Sequence, residues 1–494
     1  MSERPQGINF IRQAEVVARL APLLPEESLL FAAEDTRPYE CDGLSAYRQT
    51  PMVVAMPAND AEVQAVLRVC NELKVQVIAR GAGTGLSGGA LPSGEGVLLS
   101  MARMMRILAV EPLARIARVQ PGVRNLAITE AAAPYGLYYA PDPSSQIACS
   151  IGGNVAENSG GVHCLKYGLT VHNVLRVKGF TIEGEPVEFG SEALDAPGYD
   201  LLALMHGSEG MLGVITEVTV KLVPKPETAR VILASFDDVE KAGDAVAAII
   251  AAGIIPAGLE MMDKPATRAV EEFVRAGYDL DAAAILLCES DGTSEEVEEE
   301  LSRMIAVLEG AGATAFQVSR DEAERLRFWS GRKAAFPAVG RISPDYYCMD
   351  GTIPRKRLGE VLRFIAACEI KYGLRCPNVF HAGDGNLHPL ILFDANDPDQ
   401  LRRTEEFAGE VLEMCVAVGG TITGEHGVGI EKINQMCTQF GADELEAFRG
   451  IKRAFDPDGL LNPGKNIPTL HRCAEYGRMH VKGGVVPHPE LPRY

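Results

Sequence analysis

Two histidines frame the segment "HAGDGNLH" at residues 381–388, in a chain of 494 residues that has only nine histidines. The Asp-Gly pair at its centre is among the strongest two-residue hairpin signals, because a type I′ turn needs positive φ at both positions. With "CPNVF" and "PLILF" as flanking strands, His381 and His388 are equally distant from the turn and should lie opposite each other. Cross-strand Cβ atoms in such pairs are about 4.5–5.5 Å apart. The spacing therefore predicts two ligands of one metal ion.

A third ligand is expected from "GEHGVG", about 40 residues downstream, where glycines frame Glu425 and His426. Two imidazoles and a carboxylate leave coordination positions open for a substrate, which is typical of a catalytic metal site. Cys415 and Cys437 are alternative ligands, although neither lies in a glycine-framed loop. The interpretation without a metal is a hairpin with two hydrogen-bonded histidines and a tight turn at Gly424. Spacing alone leaves both interpretations open.

Three glycine-rich segments precede these motifs. The first, "ARGAGTGLSGG", follows a predicted strand and contains a GxGxxG pattern at Gly83, Gly85 and Gly88. A Rossmann site would need a helix to begin there, and the proline and glycines of residues 92–96 prevent a long one. A glycine loop can still present backbone N–H groups to a pyrophosphate. Two further loops, "SIGGNVAENSGGVHCLKYG" and "HGSEGMLG", indicate a large cofactor that the backbone approaches closely.

Bulk properties narrow the class of protein. A net charge of -20 argues against a nucleic-acid partner, which needs a clustered positive surface. Eleven cysteines occur without any CxxC, which excludes the usual iron–sulfur and zinc-finger spacings. The N-terminus lacks a signal-peptide pattern, and the most apolar stretch, residues 245–255, is too short to span a bilayer. We therefore expect a cytoplasmic protein, or one peripheral at the inner face of the plasma membrane through a partner.

Hydrophobic periodicity divides the chain near residues 224–226, where two prolines end a run of strands. Before this point, the helical pattern "DAEVQAVLRVCNELK" lies between the strand patterns "PMVVAMP" and "VQVIAR". After it, "RVILASF", "VEKAGDAVAAIIAAG" and "IIPAGLEMMD" predict a β-α-β unit, and "AAAILLCES", "SEEVEEELSRMIAVLEGAG" and "TAFQVS" repeat that order. Two such units predict an antiparallel or mixed sheet with helices on one side. The final 25 residues or so predict an irregular tail.

"RGAGTGLSGG", "IGGNVAENSGG" and "GSEGMLGVITEVTVKL" resemble the FAD-binding domain of the vanillyl-alcohol-oxidase type flavoproteins. The resemblance implies an α+β fold with a two-part FAD-binding domain over residues 1–228. An α/β cap domain carrying the metal site would span residues 229–455, and residues 456–494 would return to the flavin and end in the tail. Carried over residue by residue, the contacts to FAD are Gly81, Gly83, Thr84, Gly85, Leu86, Ser87, Pro141, Gly152, Gly153, Asn158, Gly160, Gly213 and Ile215.

The resemblance also bears on how FAD is attached. Some members of the family bind FAD covalently through a histidine in the first loop, and residues 80–90 contain none. We therefore expect non-covalent FAD. His163 could be proposed as an attachment point, but a loop or core histidine is the preferred interpretation.

"HAGDGNLH" together with "GEHG" resembles the cap of the D-2-hydroxy-acid dehydrogenase branch of these flavoproteins. The resemblance assigns a divalent metal, Zn, Mn or Fe, to His381, His388 and Glu425. It makes His426 the general base and, through "FDPDGLLNPGKN", brings Asn462 near the flavin ring. Arg332 in "WSGRK" would bind the substrate carboxylate by a bidentate pair.

Two departures within this branch bear on the substrate. Relatives that take larger diacids carry a lysine where this chain has Cys348 and an asparagine where it has Leu390. The loss of both polar groups favours a short 2-hydroxy acid, glycolate or D-lactate. The resemblance then implies metal-assisted deprotonation and hydride transfer to flavin N5, giving glyoxylate or pyruvate. Electrons would leave through a paralogous flavin-domain subunit and an iron–sulfur subunit to membrane quinone, because the chain has no second redox motif.

Two alternatives remain open. An FAD-linked D-lactate dehydrogenase that acts alone would carry the same motifs. A non-catalytic scaffold subunit would keep the FAD fold without its chemistry, and the intact histidines and Glu425 count against it, because scaffolding does not need them.

Overall fold

The computed structural model describes residues 8–193 and 198–468, so the predicted irregular tail, the final 25 residues or so, lies outside the described residues. The strands of the first part are β1 (Leu29–Leu30), β2 (Val53–Ala55), β3 (Gln76–Arg80), β4 (Gly96–Ser100), β5 (Ile107–Glu111), β6 (Ile116–Val119), β7 (Leu137–Tyr138), β8 (Val174–Phe180), β9 (Pro186–Gly190), β10 (Val214–Lys221) and β11 (Val223–Pro224). Its helices are α1 (Phe10–Leu20), α2 (Ala33–Thr36), α3 (Asp60–Leu73), α4 (Asn125–Ala132), α5 (Ile151–Glu157), α6 (Cys164–Tyr167), α7 (Thr170–Asn173) and α8 (Leu201–Met205).

Two larger sheets organise this first part. One has the order β1-β2-β4-β3, in which β2, β4 and β3 are parallel, and the other is an antiparallel sheet of order β5-β6-β10-β8-β9. The predicted helix between two strands is confirmed: α3 connects β2 to β3, and Asn59 caps its first turn by accepting the N–H of Glu62. No helix forms between β3 and β4, which agrees with the rejection of a Rossmann site.

The strands of the second part are β12 (Thr228–Phe236), β13 (Gly258–Asp263), β14 (Ala284–Gly292), β15 (Ala315–Val318), β16 (Asp345–Cys348), β17 (Val379–Phe380) and β18 (Leu390–Phe393). The helices are α9 (Val239–Ala251), α10 (Lys264–Val274), α11 (Ser294–Gly310), α12 (Glu322–Lys333), α13 (Ala335–Val339), α14 (Leu358–Tyr372), α15 (Pro398–Ala417), α16 (Met436–Gln439) and α17 (Ala442–Phe455).

The second part is built on an antiparallel sheet of order β15-β12-β14-β13-β17. Both predicted repeats of strand, helix and strand are confirmed, but the prediction of helices on one side is wrong. Ile232 packs with α9, α11 and α14 on one face, whereas Val231 and Leu233 pack with α10, α12 and α13 on the other. The cause lies in β12 and β14, whose apolar runs do not alternate with polar residues and are buried on both faces.

The chain after α17 returns to the first sheet. The N–H of Val77 in β3 donates to the carbonyl of Leu460, and the N–H of Asn462 donates to the carbonyl of Val77, both at 2.8 Å. Phe455 also contacts Phe189 of β9, with ring centroids 6.1 Å apart. In the described ranges, no helix has both the length and the apolar character needed to cross a membrane.

Candidate active site

The hairpin at residues 381–388 has a register different from the predicted one. His381 pairs with Asn386 rather than with His388, and four residues separate the paired positions. Of the predicted turn pair, only Gly385 adopts positive φ, at +78°, so the predicted type I′ turn is wrong. Three N–H groups of the loop donate to the carbonyl of His381 instead, at 3.1–3.2 Å.

The two imidazoles meet despite this register. His388 follows Asn386 by two positions, so it stays on the face of His381 as a diagonal neighbour. Their ring centroids are 5.0 Å apart. Oε1 of Glu425 lies 3.3 Å from Nε2 of His381 and 3.2 Å from Nε2 of His388. The three predicted metal ligands therefore converge on one point.

The chemistry of this cluster fits a divalent cation. Both ring nitrogens of His388 are buried and make no hydrogen bond of acceptable geometry, which is rare for buried polar groups. The ligand atoms of His381, His388 and Glu425 lie within 4.8 Å of one another. Two imidazole nitrogens and one carboxylate oxygen are the donors of an open catalytic site. Asp350, His388 and His426 form an overlapping group of the same size.

The pKa shifts of the clustered side chains are also consistent with a bound cation. Burial lowers the pKa of His381, but the carboxylates of Glu260 and Glu425 outweigh it and raise that pKa to about 10. Burial raises the pKa of Glu425, but His381 and His388 hold it well below its ordinary value. The cluster therefore keeps a proton when no cation is bound. A divalent cation would displace that proton, because metal ligands must be deprotonated.

Glu260 of β13 supports the cluster from behind. Its Oε1 lies 2.8 Å from Nδ1 of His381, and its Oε2 accepts Nε of Arg332 at 2.8 Å. A carboxylate on the far ring nitrogen fixes the orientation and tautomer of a metal-binding histidine. Arg332 is 1% exposed and does not line either of the two cavities described below. Its predicted grip on a substrate carboxylate stays a prediction; its contacts are those of a residue that orients Glu260.

Asp350, which sequence reasoning missed, holds the "GEHG" segment in place. Its buried carboxylate accepts the N–H groups of Gly424, Glu425 and His426 at 2.8–3.1 Å and the hydroxyl of Thr423 at 2.6 Å. Burial raises the pKa of Asp350, but the adjacent imidazoles and a buried lysine bring it well below its ordinary value. A lone aspartate that follows a strand is a common pattern, so the sequence carries no distinctive signal for it.

His426 is a neutral imidazole beside the cluster. Its ring stacks on His388 with centroids 4.8 Å apart and planes within 3°. Burial lowers the pKa of His426 to about 4, and its buried Nδ1 has no hydrogen-bond partner. A neutral imidazole with a free nitrogen is in the protonation state that a general base needs before the reaction.

The first cavity, of about 330 Å³, extends from the glycine loops to His388, Glu425 and His426. The predicted FAD contacts that line it are Gly81, Gly83, Thr84, Gly85, Leu86, Gly152, Gly153, Gly213 and Ile215. A Cβ on Gly81 would come within 2.2 Å of Ser150 Oγ, whereas a Cβ on Gly85 would meet nothing nearer than 4.0 Å. The first loop is therefore packed closely at Gly81, and its backbone is open to a ligand at Gly85.

The other predicted FAD contacts do not line the first cavity: Ser87, Pro141, Asn158, Gly160 and Asn462. Ser87 Oγ donates to the carbonyl of His426 at 2.9 Å, which joins the first loop to the "GEHG" segment. Nδ2 of Asn462 donates to the carbonyls of Gly89 and Glu209 at 2.8 and 2.6 Å.

Pro141, Asn158 and Gly160 have structural environments of their own. The carbonyl of Pro141 accepts Asn125 Nδ2 at 3.1 Å. Asn158 ends α5 with φ of +55°, so the stretch expected to be a loop is partly helical. A Cβ on Gly160 would lie 2.5 Å from Glu425 Oε2, so this glycine makes room for the side chain of Glu425.

Charged and aromatic side chains that the sequence did not single out complete the lining of the first cavity. They are Arg80, Glu157, Glu209, Lys333 and Phe336. His163 lines neither cavity: its ring nitrogens lie 2.8 Å from Asp142 and 3.0 Å from Glu289. The geometry thus favours a structural role for His163.

Comparison with known proteins places this geometry in context. Residues 51–190 match the family model described as FAD binding domain, and residues 225–466 match the one described as FAD linked oxidases, C-terminal domain. The chain is 64% identical over 484 residues to glycolate oxidase subunit GlcD of Escherichia coli strain K12, covering 98% of this chain and 97% of that one. It is 32% identical to a D-lactate dehydrogenase of Anaerostipes hadrus, covering 91% of this chain and 97% of that one.

Solved structures show the same fold at low identity. The chain is similar to p-cresol methylhydroxylase with substrate bound, with a TM-score of 0.80, 16% identity and coverage of 94% of this chain and 99% of that one. It is also similar to 4-ethylphenol oxidase from Gulosibacter chungangensis, with a TM-score of 0.78, 16% identity and coverage of 95% and 100%. The expected two-part FAD-linked oxidase fold is therefore confirmed.

We expect Asp350→Ala to lower the free energy of unfolding by about 3–5 kcal/mol, because it leaves several buried donors without an acceptor. Urea unfolding followed by circular dichroism measures the change. Asp35→Ala, at an exposed position, is the control. A loss for Asp350→Ala as small as that of the control would contradict the anchoring role.

Proposed function

The chain belongs to the family of FAD-linked oxidases, and from that premise we propose that it oxidises a short 2-hydroxy acid, glycolate or D-lactate, to the 2-oxo acid. One observation carries this proposal: the cavity that begins at the glycine loops ends on His388, Glu425 and His426. A cofactor in that cavity and an acid beside those side chains would be neighbours. The names of the relatives, glycolate oxidase subunit GlcD and D-lactate dehydrogenase, support the same substrate class.

The apolar cluster behind Phe336, a residue of the first cavity, supports a short substrate. Cys348 and Leu390 lie directly opposite each other on β16 and β18, and both are buried. Phe336, which packs against the same apolar cluster, lines the first cavity. None of these side chains offers a cation or a strong donor to a second carboxylate. A substrate with a small or missing side chain therefore fits better than a diacid.

We propose that His381, His388 and Glu425 hold a divalent metal ion, which when bound supplies Lewis-acid polarisation of the hydroxy acid. Glu260 orients His381 through Nδ1, and Arg332 in turn fixes Glu260. FAD in the first cavity supplies the acceptor for the hydride from the substrate carbon. Among the cations that line this cavity, Lys333 is exposed and could attract the substrate carboxylate.

His426 is the proposed general base. Its neutral ring borders the first cavity and is held by Asp350 through the backbone N–H. The stack on His388 keeps the imidazole beside the ligand cluster, so a hydroxyl oriented there is within reach of a ring nitrogen. The substrate proton would move to His426 while the hydride moves to the cofactor, and the bond between carbon and hydroxyl oxygen becomes a carbonyl.

We further propose that the chain works with other subunits, because its relatives are named as subunits of glycolate oxidase. A paralogous flavin-domain subunit and an iron–sulfur subunit that pass electrons to membrane quinone remain the expected partners. An enzyme that acts alone on D-lactate is the second candidate, supported by the D-lactate dehydrogenase relatives.

Anaerobic mixing tests the reaction directly. We expect glycolate or D-lactate to bleach the flavin absorbance of the FAD-loaded chain within seconds, because the reductive half-reaction needs no external acceptor. A rapid-mixing spectrophotometer measures the rate for each acid, with L-lactate as the control. If neither glycolate nor D-lactate reduces the flavin, the dehydrogenase proposal fails and the scaffold alternative stands.

His426→Asn should lower the rate of flavin reduction by about 10²–10⁴-fold, the usual contribution of a general base. Flavin absorbance after gel filtration should show that FAD remains bound. His206→Asn is the control, because His206 lines neither described cavity. Equal rates for the His426 variant and the unsubstituted protein would remove His426 from the mechanism.

His388→Ala should abolish stoichiometric metal binding, because it removes one of three ligands. Elemental analysis of the FAD-loaded protein measures the metal content, and dialysis against a chelator should mimic the variant. Flavin reduction at an undiminished rate after complete metal removal would contradict the proposed metal assistance.

A further inference from the structure

A second cavity, of about 250 Å³, meets the same cluster from the other side. It is bounded by the loop between α6 and α7, by the hairpin at residues 381–388 and by the "GEHG" segment. Glu425 lines both cavities, whereas His381 lines only the second one, and His388 and His426 line only the first. The cluster is therefore approached from two separate sides.

The polar side chains of the second cavity are of the types that bind cations. His172 is exposed, Asp384 is half-buried and Glu425 is nearly buried, which gives a series of possible ligands from the surface inward. Asn386 is 6% exposed, and its Oδ1 is a buried acceptor without a hydrogen-bond partner. The buried hydroxyl oxygen of Thr352 also has none. Oxygen acceptors without donors suit a cation or its hydration water.

The first cavity has a mixed lining. Arg80 and Lys333 contribute positive charge, Glu157 and Glu209 contribute carboxylates, and FAD occupies the glycine loops when it is bound. In the second cavity, the carboxyl groups of Asp384 and Glu425 lie beside the imidazoles of His172 and His381, and none of the described residues that line it is a lysine or an arginine. Carboxylates attract cations, and imidazoles can bind them.

We propose that the second cavity is the passage through which the divalent cation reaches and leaves His381 and Glu425 in the FAD-loaded protein. The inference rests on the proposed metal site and adds its route of exchange. His172 and Asp384 are transient ligands along the passage, and Asn386 and Thr352 accept hydrogen bonds from water carried by the ion. FAD and the hydroxy acid share the other approach to the ligands, so this passage lets the ion exchange without displacing them.

The test measures metal exchange in the FAD-loaded full chain. The protein is loaded with Zn²⁺, and a chromogenic chelator then follows Zn²⁺ release, while the reverse mixing follows uptake. Asp384→Asn removes the charge along the passage without changing its size, and Leu169→Trp narrows the passage. We expect both variants to slow uptake, Asp384→Asn by at least about tenfold at low ionic strength, the lower end of electrostatic steering effects.

Two matched controls isolate the passage. Asp35→Asn makes the same chemical change at an exposed position, and Lys333→Met alters the lining of the first cavity. Neither should change the rate of Zn²⁺ uptake or release. Circular dichroism and flavin absorbance verify that each variant is folded and carries FAD. If Leu169→Trp does not fold, the exchange rate of Asp384→Asn alone tests whether the cation uses the second cavity.

The outcomes separate this inference from the function on which it rests. If the unsubstituted protein binds no stoichiometric Zn²⁺, the proposed metal site fails. If Zn²⁺ binds and both passage variants exchange it at the unsubstituted rate, the passage is overturned. Faster uptake in Lys333→Met together with unchanged exchange in Asp384→Asn would assign the route to the first cavity instead, because this substitution removes a charge that repels Zn²⁺.

Discussion

A single buried carboxylate, Asp350, sets the geometry on which the active site depends. Its oxygens accept the backbone N–H groups of Gly424, Glu425 and His426. These bonds fix the backbone positions from which the side chains of Glu425 and His426 extend. Of these, the Glu425 side chain completes the cluster with His381 and His388, and the His426 side chain borders the first cavity. Burying an anion is costly unless it is fully hydrogen-bonded, so the same contacts that satisfy Asp350 fix the segment rigidly.

The "GEHG" segment also joins the two parts of the chain. Glu209, from the loop before β10, accepts the N–H groups of Val428 and Gly429 at 2.7 Å, and Ser87 donates to the carbonyl of His426. The glycine loops and the ligand cluster are thereby held at one distance from each other. A reaction that transfers a hydride between substrate and cofactor needs this fixed separation, because reacting atoms must be held in contact.

The cluster of His381, His388 and Glu425 lowers the stability of the folded protein when no ion is bound. The two ring nitrogens of His388 are buried without adequate hydrogen bonds. His381 and His388 also share a single partner, the carboxylate of Glu425. Such a set is unfavourable in a protein without a bound ion, and it is favourable around a cation that uses the same lone pairs. Residues that break the rules of a satisfied interior are expected at functional sites.

The sequence determined the elements and the residue types of the site. Periodicity found α3 and both strand-helix-strand repeats, because side-chain burial follows the helix and strand periods, and the spacing around glycines singled out His381, His388, Glu425 and His426. Tertiary structure alone decided the hairpin register, the helices on both sheet faces, the pairing of Arg332 with Glu260 and the anchoring by Asp350. These features depend on contacts between residues that are distant in the chain, and local pattern carries no information about which distant partner satisfies a buried polar group.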